Sequence, residues 1–435
     1  MTLTSDEQQH STAVTSLLRE AIAAAGGWVP FERFMDLTLY APGLGYYSAG
    51  STKLGAGGDF VTAPEVSDLF SRCVARQVAE VLSVTGGEIL ELGAGTGRMA
   101  ATVLESLAAE GVLPERYSIL EVSGDLAGRQ RERLSSLPAG LRERVVWLER
   151  LPERPIRGAV LANEVLDALP CQRFVVTAGG VDAVQPAATD DGKSAAGAVR
   201  PAAALRGEAG VDSLREGGRG PLSIASGPAR SIAEVGVCVD GERFVERPAP
   251  PDEALARACE TLLSGLPQPL SPGYTSEVCL RLEPWIASVG ECLERGLILL
   301  FDYGLPRSHY YHPQRVTGTL RCHFKQRAHD DPYINVGVQD ITAWVDFTRV
   351  AEAAVASGLD VAGFSTQAAF LLAMGIERLA VSESGDIVEQ TRLAGEARRL
   401  LMPGEMGEAF KAMALTRDYD AALTGFTLQD LRHSL

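Results

Sequence analysis

Residues 88–104, with the sequence EILELGAGTGRMAATVL, constrain the fold of this chain more than any other segment. A short apolar run ends at Glu91, and three glycines follow at every second position: Gly93, Gly95 and Gly97. An apolar pattern with helical spacing comes next, so the segment predicts a strand, a tight turn and a helix. Glycine permits positive φ, and the first turn of the helix presents unpaired N–H groups. The segment therefore predicts an α/β sheet whose first turn holds a nucleotide-like cofactor.

The spacing of these glycines separates two classes of cofactor. A dinucleotide fingerprint is G-x-G-x-x-G, with the pyrophosphate at the helix N-terminus. Here the pattern is G-x-G-x-G with an acid at the strand end, and it resembles the first motif of class I S-adenosylmethionine (SAM) methyltransferases. SAM has no pyrophosphate, and its carboxylate and ammonium need a tight turn and a nearby acid, for which Glu91 is the candidate. The alternative is a strand-to-helix turn that binds nothing.

A second acid strengthens the nucleoside interpretation. Residues 117–122 (YSILEV) form another short apolar run that contains Glu121. An acid at the end of the second strand, roughly 20 residues past the glycines, is what a ribose with two hydroxyls needs. NAD would use the same acid, so Glu121 does not separate the two cofactors, and an exposed strand-end glutamate is the alternative.

Further apolar runs predict the rest of the sheet. They lie at 145–148, 158–162 and 297–301, and helical patterns separate the earlier ones. Such alternation predicts a doubly wound parallel sheet, which binds ligands beyond the carboxyl ends of its strands. Asn163 and Glu164 follow the fourth run directly, so they are expected at that edge with Glu91 and Glu121.

The spacing between the fourth and fifth runs is too long for one crossover helix and predicts an insertion. Residues 178–230 contain 13 Ala and 10 Gly and predict a flexible excursion. Residues 253–266 and 281–295 have helical patterns and are expected to cap the sheet. The predicted division of the chain is 1–64 with N-terminal helices and a glycine and aromatic loop over the site, 65–170 as the first part of the core, 171–296 as the insertion, 297–376 as the second part of the core, and 377–435 as the C-terminal region. The tail after residue 357 is expected to be mostly helical with scattered strand-like runs.

Composition narrows the partners and the compartment. The chain has 435 residues and a net charge of −16, so duplex nucleic acid is an unfavourable partner. No run reaches the ~18 apolar residues that span a bilayer. The seven cysteines form no C-x-x-C pair, and the acidic start MTLTSDEQQH is neither a secretory nor a transit peptide. The expected compartment is the cytoplasm.

Four of the six histidines fall in one polar, aromatic stretch after the fifth run: His309, His312, His323 and His329. A metal site is one interpretation. Because Pro313 follows His312 directly, a regular helix cannot present His309 and His312 together. Hydrogen-bonded loop histidines are therefore favoured, and no metal is expected.

Several segments together resemble one family, the MidA-like SAM-dependent methyltransferases, which includes a mitochondrial complex I assembly factor that methylates an arginine. The resemblance runs from about residue 28 to 376, and the Ala/Gly-rich stretch 178–230 departs from the family pattern. The segments that carry it are GDFVTAPEVSDLF (58–70), ELGAGTG (91–97), ILEVSGDLAGRQ (119–130), NEVLDALP (163–170), LLFDYG (299–304), GTLRCHFKQRAHDDPY (318–333) and VGVQDITAWVDF (336–347).

The resemblance implies a class I methyltransferase core, Rossmann-like, with SAM as cofactor. It implies that the three glycines line SAM and that Glu121 meets its ribose. It also places the GDFVTAPE loop, with Asp59, Phe60 and Thr62, over the site. The NEVLDALP segment, which begins at Asn163, would follow the fourth strand beside the reacting methyl group.

If the acceptor is a guanidinium, it stays charged near neutral pH and needs carboxylates to orient it. Glu164 and Asp167 are spaced i, i+3, so both face one side if the segment is helical. They are the candidate catalytic residues, with Glu65 as a third candidate. The alternatives are that Asp167 caps a turn and that Glu164 binds the cofactor or lies on a solvated face.

Asp302 and Tyr303 follow the fifth run. They are expected to end the strand and are candidates for the acceptor pocket. The alternative is a strand-end turn that Asp302 stabilises.

Four functions remain open at this stage. The first is a protein arginine methyltransferase that acts on an assembling partner. The second is a methyltransferase of a small molecule or of a non-arginine acceptor, because fold does not fix the acceptor. A SAM-binding assembly factor without catalysis and an NAD-dependent dehydrogenase are the others, and the glycine spacing argues against the last. The sequence does not indicate an oligomeric state.

Overall fold

The computed structural model describes residues 3–49, 61–178, 231–382 and 385–435. The described helices are α1 (Ser5–Ala24), α2 (Phe31–Tyr40), α3 (Ala63–Val66), α4 (Asp68–Thr85), α5 (Arg98–Glu110), α6 (Gly124–Leu134), α7 (Ala139–Arg142), α8 (Glu253–Gly265), α9 (Leu282–Glu291), α10 (Arg307–Tyr310), α11 (Phe347–Ala356), α12 (Gln367–Ala373), α13 (Ile376–Leu379) and α14 (Ile387–Leu401). Short 3-10 helices lie at Thr424–Phe426 and Arg432–Ser434.

The described strands pair into three sheets. They are β1 (Val29–Pro30), β2 (Glu88–Leu92), β3 (Tyr117–Leu120), β4 (Val145–Leu148), β5 (Ile156–Asn163), β6 (Gln172–Thr177), β7 (Ser231–Asp240), β8 (Arg243–Ala249), β9 (Thr275–Val278), β10 (Leu293–Leu305), β11 (Arg321–Phe324), β12 (Arg327–His329), β13 (Asp340–Thr342), β14 (Val345–Asp346), β15 (Asp360–Thr366) and β16 (Phe410–Arg417).

The central sheet has the strand order β15-β16-β10-β5-β2-β3-β4, and β14 pairs with the end of β10. The five strands from β10 to β4 run parallel, as the five apolar runs predict. Their residues are apolar on both faces because helices cover both faces. One face packs against α4 and α5, and the other packs against α9 and α11. The prediction of a doubly wound α/β fold is confirmed.

Two further strands, β15 and β16, join this sheet, and the sequence analysis did not place them. β16 lies between β10 and β15 and is antiparallel to both. Its residues from Lys411 to Thr416 are all buried. The expectation of a mostly helical C-terminal region is therefore incomplete, because β16 and the 3-10 helices follow α14.

The insertion between β5 and β10 builds a second sheet, which the sequence analysis did not predict. Its order is β1-β7-β6-β9, with β8 on the other side of β7. The pairs are antiparallel, and β1 joins the N-terminal segment to β7. Helix α8 packs on this second sheet rather than on the central one, whereas α9 covers the central sheet. Residues 179–230, which hold nearly all of the Ala/Gly-rich stretch, lie outside the described residues.

Helix α2 and the loop after it pack between the second sheet and the small sheet β12-β11-β13. This position brings the N-terminal segment to the carboxyl edge of the central sheet. Within the described ranges, no helix combines the length and apolar character that crossing a bilayer requires.

Candidate active site

A cavity of about 800 Å³ lies at the carboxyl ends of β2, β3 and β5. Its size is at the upper end of the range for small-molecule sites. The glycine turn and the residues after β3 line part of the cavity, and residues of α2 and α9 line another part. Seven of the predicted site residues line this one cavity: Thr62, Glu91, Gly93, Gly95, Glu121, Asn163 and Glu164.

The three glycines of the turn have different roles in the structure. All have positive φ: 66° at Gly93, 54° at Gly95 and 80° at Gly97. Gly93 and Gly95 line the cavity. Gly97 is the N-cap of α5, and a Cβ there would lie 3.3 Å from the Cα of Gln130. Gly97 therefore shapes the turn and its packing, and it is not among the described residues that line the cavity.

Glu91 is the acid at the end of β2, and it is only 1% exposed. Its Oε2 accepts a hydrogen bond of 2.7 Å from the Tyr117 hydroxyl on β3. Burial raises the pKa of Glu91 to about 7, although this hydrogen bond opposes the shift. The carboxylate is fixed at the cavity wall, where it suits the ammonium of an amino-acid ligand.

Glu121 is held by two donors directly after β3. Its Oε1 accepts from the backbone N–H of Ser123 at 2.9 Å, and its Oε2 accepts from Nε2 of Gln130 at 2.9 Å. These bonds fix the carboxylate directly after β3, at the place where an acid suits the hydroxyls of a ribose.

Gln130 is a functional residue that the sequence reasoning missed. It lies on α6, it is fully buried, and its Nε2 also donates to the carbonyl of Gly95 at 2.9 Å. Its Oε1 accepts from the indole N–H of Trp147 at 3.0 Å. The amide of Gln130 thus joins the glycine turn to Glu121. A polar residue on a charged helix carries no sequence signal for this role.

The segment after β5 is a turn and not a helix. The expectation that Glu164 and Asp167 face one side of a helix is therefore wrong. Glu164 has a φ of 54°, a strained value for a residue with a side chain. Its backbone N–H donates to the carbonyl of Phe301 at 2.8 Å. Its Oε1 accepts from the backbone N–H of Ala63 at 3.3 Å and from Nδ2 of Asn163 at 3.1 Å. The turn therefore directs the Glu164 carboxylate into the cavity wall.

The electrostatic environment of Glu164 favours the protonated form in the free protein. Burial raises its pKa to about 8, and the charges of Asp167 and Asp340 add to the shift. The amide of Asn163 and the N–H of Ala63 oppose it only in part. A cation placed beside this carboxylate would restore the ionised form.

Asp167 lies behind this wall and is not among the described residues that line the cavity. It is 5% exposed, and its Oδ2 accepts a hydrogen bond from the Tyr303 hydroxyl. Burial raises the pKa of Asp167 to about 6, and the Tyr303 bond opposes the shift. Asp167 therefore affects the cavity only indirectly, because its charge raises the pKa of Glu164.

Asp302 and Tyr303 lie inside β10, which continues to Leu305, so the expectation that they end the strand is wrong. Asp302 is 1% exposed, and its Oδ2 accepts from the backbone N–H of Leu166 at 2.9 Å and of Asp167 at 3.2 Å. This arrangement matches the alternative in which Asp302 stabilises a turn. The turn is the one after β5, and neither residue is found on the cavity wall among the described residues.

The segment before α4 closes one side of the cavity. Thr62 and Glu65 line it, and the Glu65 carboxylate accepts a hydrogen bond from the Thr96 hydroxyl in the glycine turn. Arg98 begins α5 and also lines the cavity. Asp59 and Phe60, which were predicted to cover the site, lie outside the described residues.

The part of the lining that α2 and α9 contribute, the aromatic wall, contains aromatic rings and was not predicted. Tyr40 of α2 stacks on Tyr47 with ring centroids 5.5 Å apart. Their hydroxyls are engaged elsewhere, since Tyr40 donates to the carbonyl of Ala168 at 2.9 Å and Tyr47 donates to Asp340 at 3.0 Å. Trp285 of α9 lines the same side. The wall therefore offers ring surface rather than hydroxyl groups.

The histidine-rich stretch is divided among separate elements: His309 is in α10, His323 in β11 and His329 in β12. In the ranges that the structure describes, no three or more His, Cys, Asp or Glu side chains are grouped so as to hold a metal ion.

The sheet, the glycine turn and the fixed acid after β3 define a nucleoside-binding α/β protein of the methyltransferase class. The family profile described as "Putative S-adenosyl-L-methionine-dependent methyltransferase" matches residues 73–365. The chain belongs to this family and is a SAM-dependent methyltransferase.

Named relatives and a solved structure agree with this assignment. The Drosophila melanogaster protein named "Protein arginine methyltransferase NDUFAF7 homolog, mitochondrial" is 27% identical over 428 residues, 92% of this chain and 83% of that protein. The Mus musculus protein named "Protein arginine methyltransferase NDUFAF7, mitochondrial" is 26% identical over 448 residues, 94% of this chain and 86% of that protein. A crystal structure from Burkholderia thailandensis with bound S-adenosyl-homocysteine (SAH) has 37% identity, a TM-score of 0.83 and full coverage of both chains.

The residues present fit SAM. Gly93 and Gly95 offer bare backbone, Glu91 suits the ammonium, and Glu121 suits the ribose. The buried Oδ1 of Asn163 has no hydrogen-bond partner in the described structure, and it is an acceptor for an N–H of a ligand. Bound SAM supplies an electrophilic methyl group on a sulfonium.

Proposed function

We propose that this enzyme transfers the methyl group of SAM to a guanidinium nitrogen of an arginine in a protein. The observation that carries this proposal is a pair of free acceptors at the end of β5. The Oδ1 of Asn163 is buried without a partner, and the Oε2 of Glu164 has no hydrogen-bond donor among the described residues. When Glu164 is ionised, the bond that Nδ2 of Asn163 donates to it orients the amide and leaves Oδ1 as the acceptor. Two adjacent acceptors suit the several N–H groups of one planar cation.

The charge of the cavity also favours a cationic acceptor. Among the described residues, five acids line it and two arginines oppose them. The acids are Asp36, Glu65, Glu91, Glu121 and Glu164. A guanidinium stays charged near neutral pH, so it would stabilise the ionised form of Glu164, which is disfavoured in the free protein.

The aromatic wall gives the acceptor a second surface. A guanidinium stacks on aromatic rings, and its stem packs against apolar surface. Tyr40, Tyr47 and Trp285 line the same cavity as the glycine turn. We place the acceptor arginine between this wall and Glu164, and SAM on the side of the glycine turn.

The transfer step balances with these groups. A guanidinium nitrogen attacks the methyl carbon, the carbon–sulfur bond breaks, and its electron pair stays on sulfur, which gives SAH. The methylated nitrogen then loses one proton. Glu164 orients the guanidinium while ionised, and its raised pKa suits it to accept that proton afterwards. Positioning supplies the larger part of the catalysis.

The names of the relatives support a protein acceptor, since those of fly and mouse are both called protein arginine methyltransferases. We propose in addition that the acceptor is a protein partner which this enzyme modifies during assembly. The competing proposal, a small-molecule or non-arginine acceptor on the same core, is separated by the identity of the methylated product.

The test uses purified protein, SAM with a labelled methyl group, and a protein extract from cells in which the gene is deleted, so that the acceptor is unmethylated. The products are hydrolysed, and the methylated amino acid is identified by mass spectrometry. We expect methylarginine with the wild type and none with Glu164→Gln. We expect the affinity of Glu164→Gln for SAH, measured by calorimetry, to stay within about threefold of the wild type.

Glu253→Gln is the matched control, because Glu253 is an exposed glutamate at the start of α8 whose side chain is 83% accessible. It should methylate like the wild type. Label on lysine, on a carboxyl group or in the small-molecule fraction would contradict the arginine proposal. Loss of SAH binding in Glu164→Gln would assign Glu164 to the cofactor, and full turnover would remove it from catalysis.

A further inference from the structure

Two positive charges line the cavity among the described residues, Arg98 and Arg281. Arg281 is already bound by two carboxylates, because it pairs with Glu32 and with Asp36, the latter at 2.8 Å. It lies beside α2 and α9, on the side of the aromatic wall. Arg98 lies at the opposite side, on the first residue of α5 directly after the glycine turn.

The Arg98 side chain is fixed by two contacts that leave part of the guanidinium available. Its Nε donates to the Oδ1 of Asp68 at 2.8 Å, and its Nη1 donates to the backbone carbonyl of Glu65 at 2.9 Å. No described residue accepts from its Nη2. The side chain is 27% exposed. Burial alone would lower its pKa, and the hydrogen bond and charge of Asp68 outweigh that effect, so the pKa is raised and Arg98 stays charged.

The amino-acid end of SAM carries a carboxylate as well as an ammonium. Most charges on the cavity wall are negative, and they would repel that carboxylate. The unpaired N–H groups of the first turn of α5 oppose this repulsion only by partial charges. A full positive charge at the start of the same helix is the group that can neutralise a carboxylate there.

We propose that Arg98 binds the α-carboxylate of SAM and makes the site selective for adenosyl ligands that retain this carboxylate. Nη2 is the donor that remains for it, and Asp68 and the Glu65 carbonyl hold the guanidinium in place. Glu91 then has the ammonium as its partner, so the two charges of one amino acid meet two opposite charges of the protein. The proposal concerns the methyl donor and does not depend on the identity of the acceptor.

The test compares two thioether ligands by calorimetry: SAH, and decarboxylated SAH, which keeps the adenosine and the amine. The measured quantity is the ratio of their dissociation constants. The wild type should prefer SAH. In Arg98→Met, which keeps a long side chain without the charge, the affinity for SAH should fall roughly 10- to 150-fold, as expected for a hydrogen bond between charged groups. The affinity for decarboxylated SAH should stay within about threefold.

Arg257→Met is the matched control, because Arg257 is an exposed arginine of α8 that also pairs with a carboxylate, that of Glu253, and is not among the described residues that line the cavity. It should retain the preference for SAH. Equal losses for both ligands in Arg98→Met would mean that Arg98 only supports the local structure, and no loss would mean that it does not bind the carboxylate; either result overturns the proposal. If Arg98→Met binds neither ligand, Arg98→Lys decides: a preference reduced at least about threefold supports the proposal, and an unchanged one overturns it.

Discussion

Replacement of Gln130 by methionine tests how the cofactor half of the site is held together. Gln130 is fully buried, and its amide makes three hydrogen bonds, to the Gly95 carbonyl, to Glu121 and to the Trp147 indole. Methionine has a similar volume, so Gln130→Met removes the three bonds with little loss of packing. At about 1 kcal/mol for each bond, the free energy of unfolding should fall by about 3 kcal/mol.

Binding should weaken as well, because a donor that fixes Glu121 is lost and the Gly95 carbonyl loses its bond to Gln130. If the poorer orientation of Glu121 costs SAH the equivalent of one hydrogen bond, its affinity should fall roughly tenfold. Urea denaturation followed by tryptophan fluorescence gives the stability, and calorimetric titration with SAH gives the affinity. The midpoint should shift without a change in slope if the compactness of both states is preserved.

A second buried glutamine provides the control. Gln77 on α4 is also fully buried, donates to Glu80 at 2.7 Å and accepts from the backbone N–H of Gly425 at 2.9 Å. Gln77→Met should lose about 2 kcal/mol of stability and keep the affinity for SAH. If Gln130→Met binds SAH like the wild type, or if both variants lose affinity equally, then the bonds from Gln130 to Gly95 and Glu121 do not support SAH binding as argued.

Two further predictions concern buried charges. Glu164 has a pKa of about 8 in the folded protein against an ordinary 4.5, so the folded state binds more protons between these values, and stability falls as pH rises through this window. Glu164→Gln should remove this part of the decline in denaturation curves recorded from pH 5 to 8, and Glu253→Gln should not; parallel curves for all three proteins would refute the assignment. Arg173→Met should lower the free energy of unfolding by about 3–5 kcal/mol, since it leaves the carboxylate of Glu277, 1% exposed, without its cation. A loss below about 1 kcal/mol, measured with urea, would contradict this.

The parallel part of the central sheet could be predicted because its strands are continuous apolar runs. β4 has the predicted bounds, β2, β5 and β10 contain the predicted cores, and β3 begins at the predicted residue and ends before the predicted run does. β16 was missed because its sequence, FKAMALTR, fits a helix as well as a strand. Its position between β10 and β15 makes it a strand.

The second sheet could not be predicted from local patterns. β1 is two residues long and pairs with β7, which follows it by about two hundred positions in the chain. β6 and β7 carry Arg173 and Glu234 at buried positions, which interrupts the alternation of apolar residues. The reason that Arg173 is tolerated there is its pairing with Glu277 of β9 and Glu246 of β8, and no local window contains all three.

The turn after β5 shows the same limit at the site itself. The sequence places the correct acid, Glu164, at the sheet edge, but the turn conformation depends on Asp302, which comes from another strand and accepts the N–H groups of Leu166 and Asp167. An i, i+3 rule assumes that the backbone bonds to itself. Here the acceptor is supplied by β10, so the two carboxylates separate into one at the cavity and one behind it.

The residues on one side of the cavity are close together in the chain, and those on the other side are far apart. This difference explains why the sequence predicts the methyl donor more readily than the methyl acceptor. The donor side is built from 91–98 and 120–130, two short segments joined by Gln130, so its chemistry is visible as local motifs. The side on which we place the acceptor is lined by residues of α2, of the turn after β5 and of α9, which come from distant parts of the chain. Substitutions in α2 or α9 should therefore change the acceptor without changing the affinity for SAH, whereas substitutions at Gln130 should weaken donor binding whatever the acceptor is.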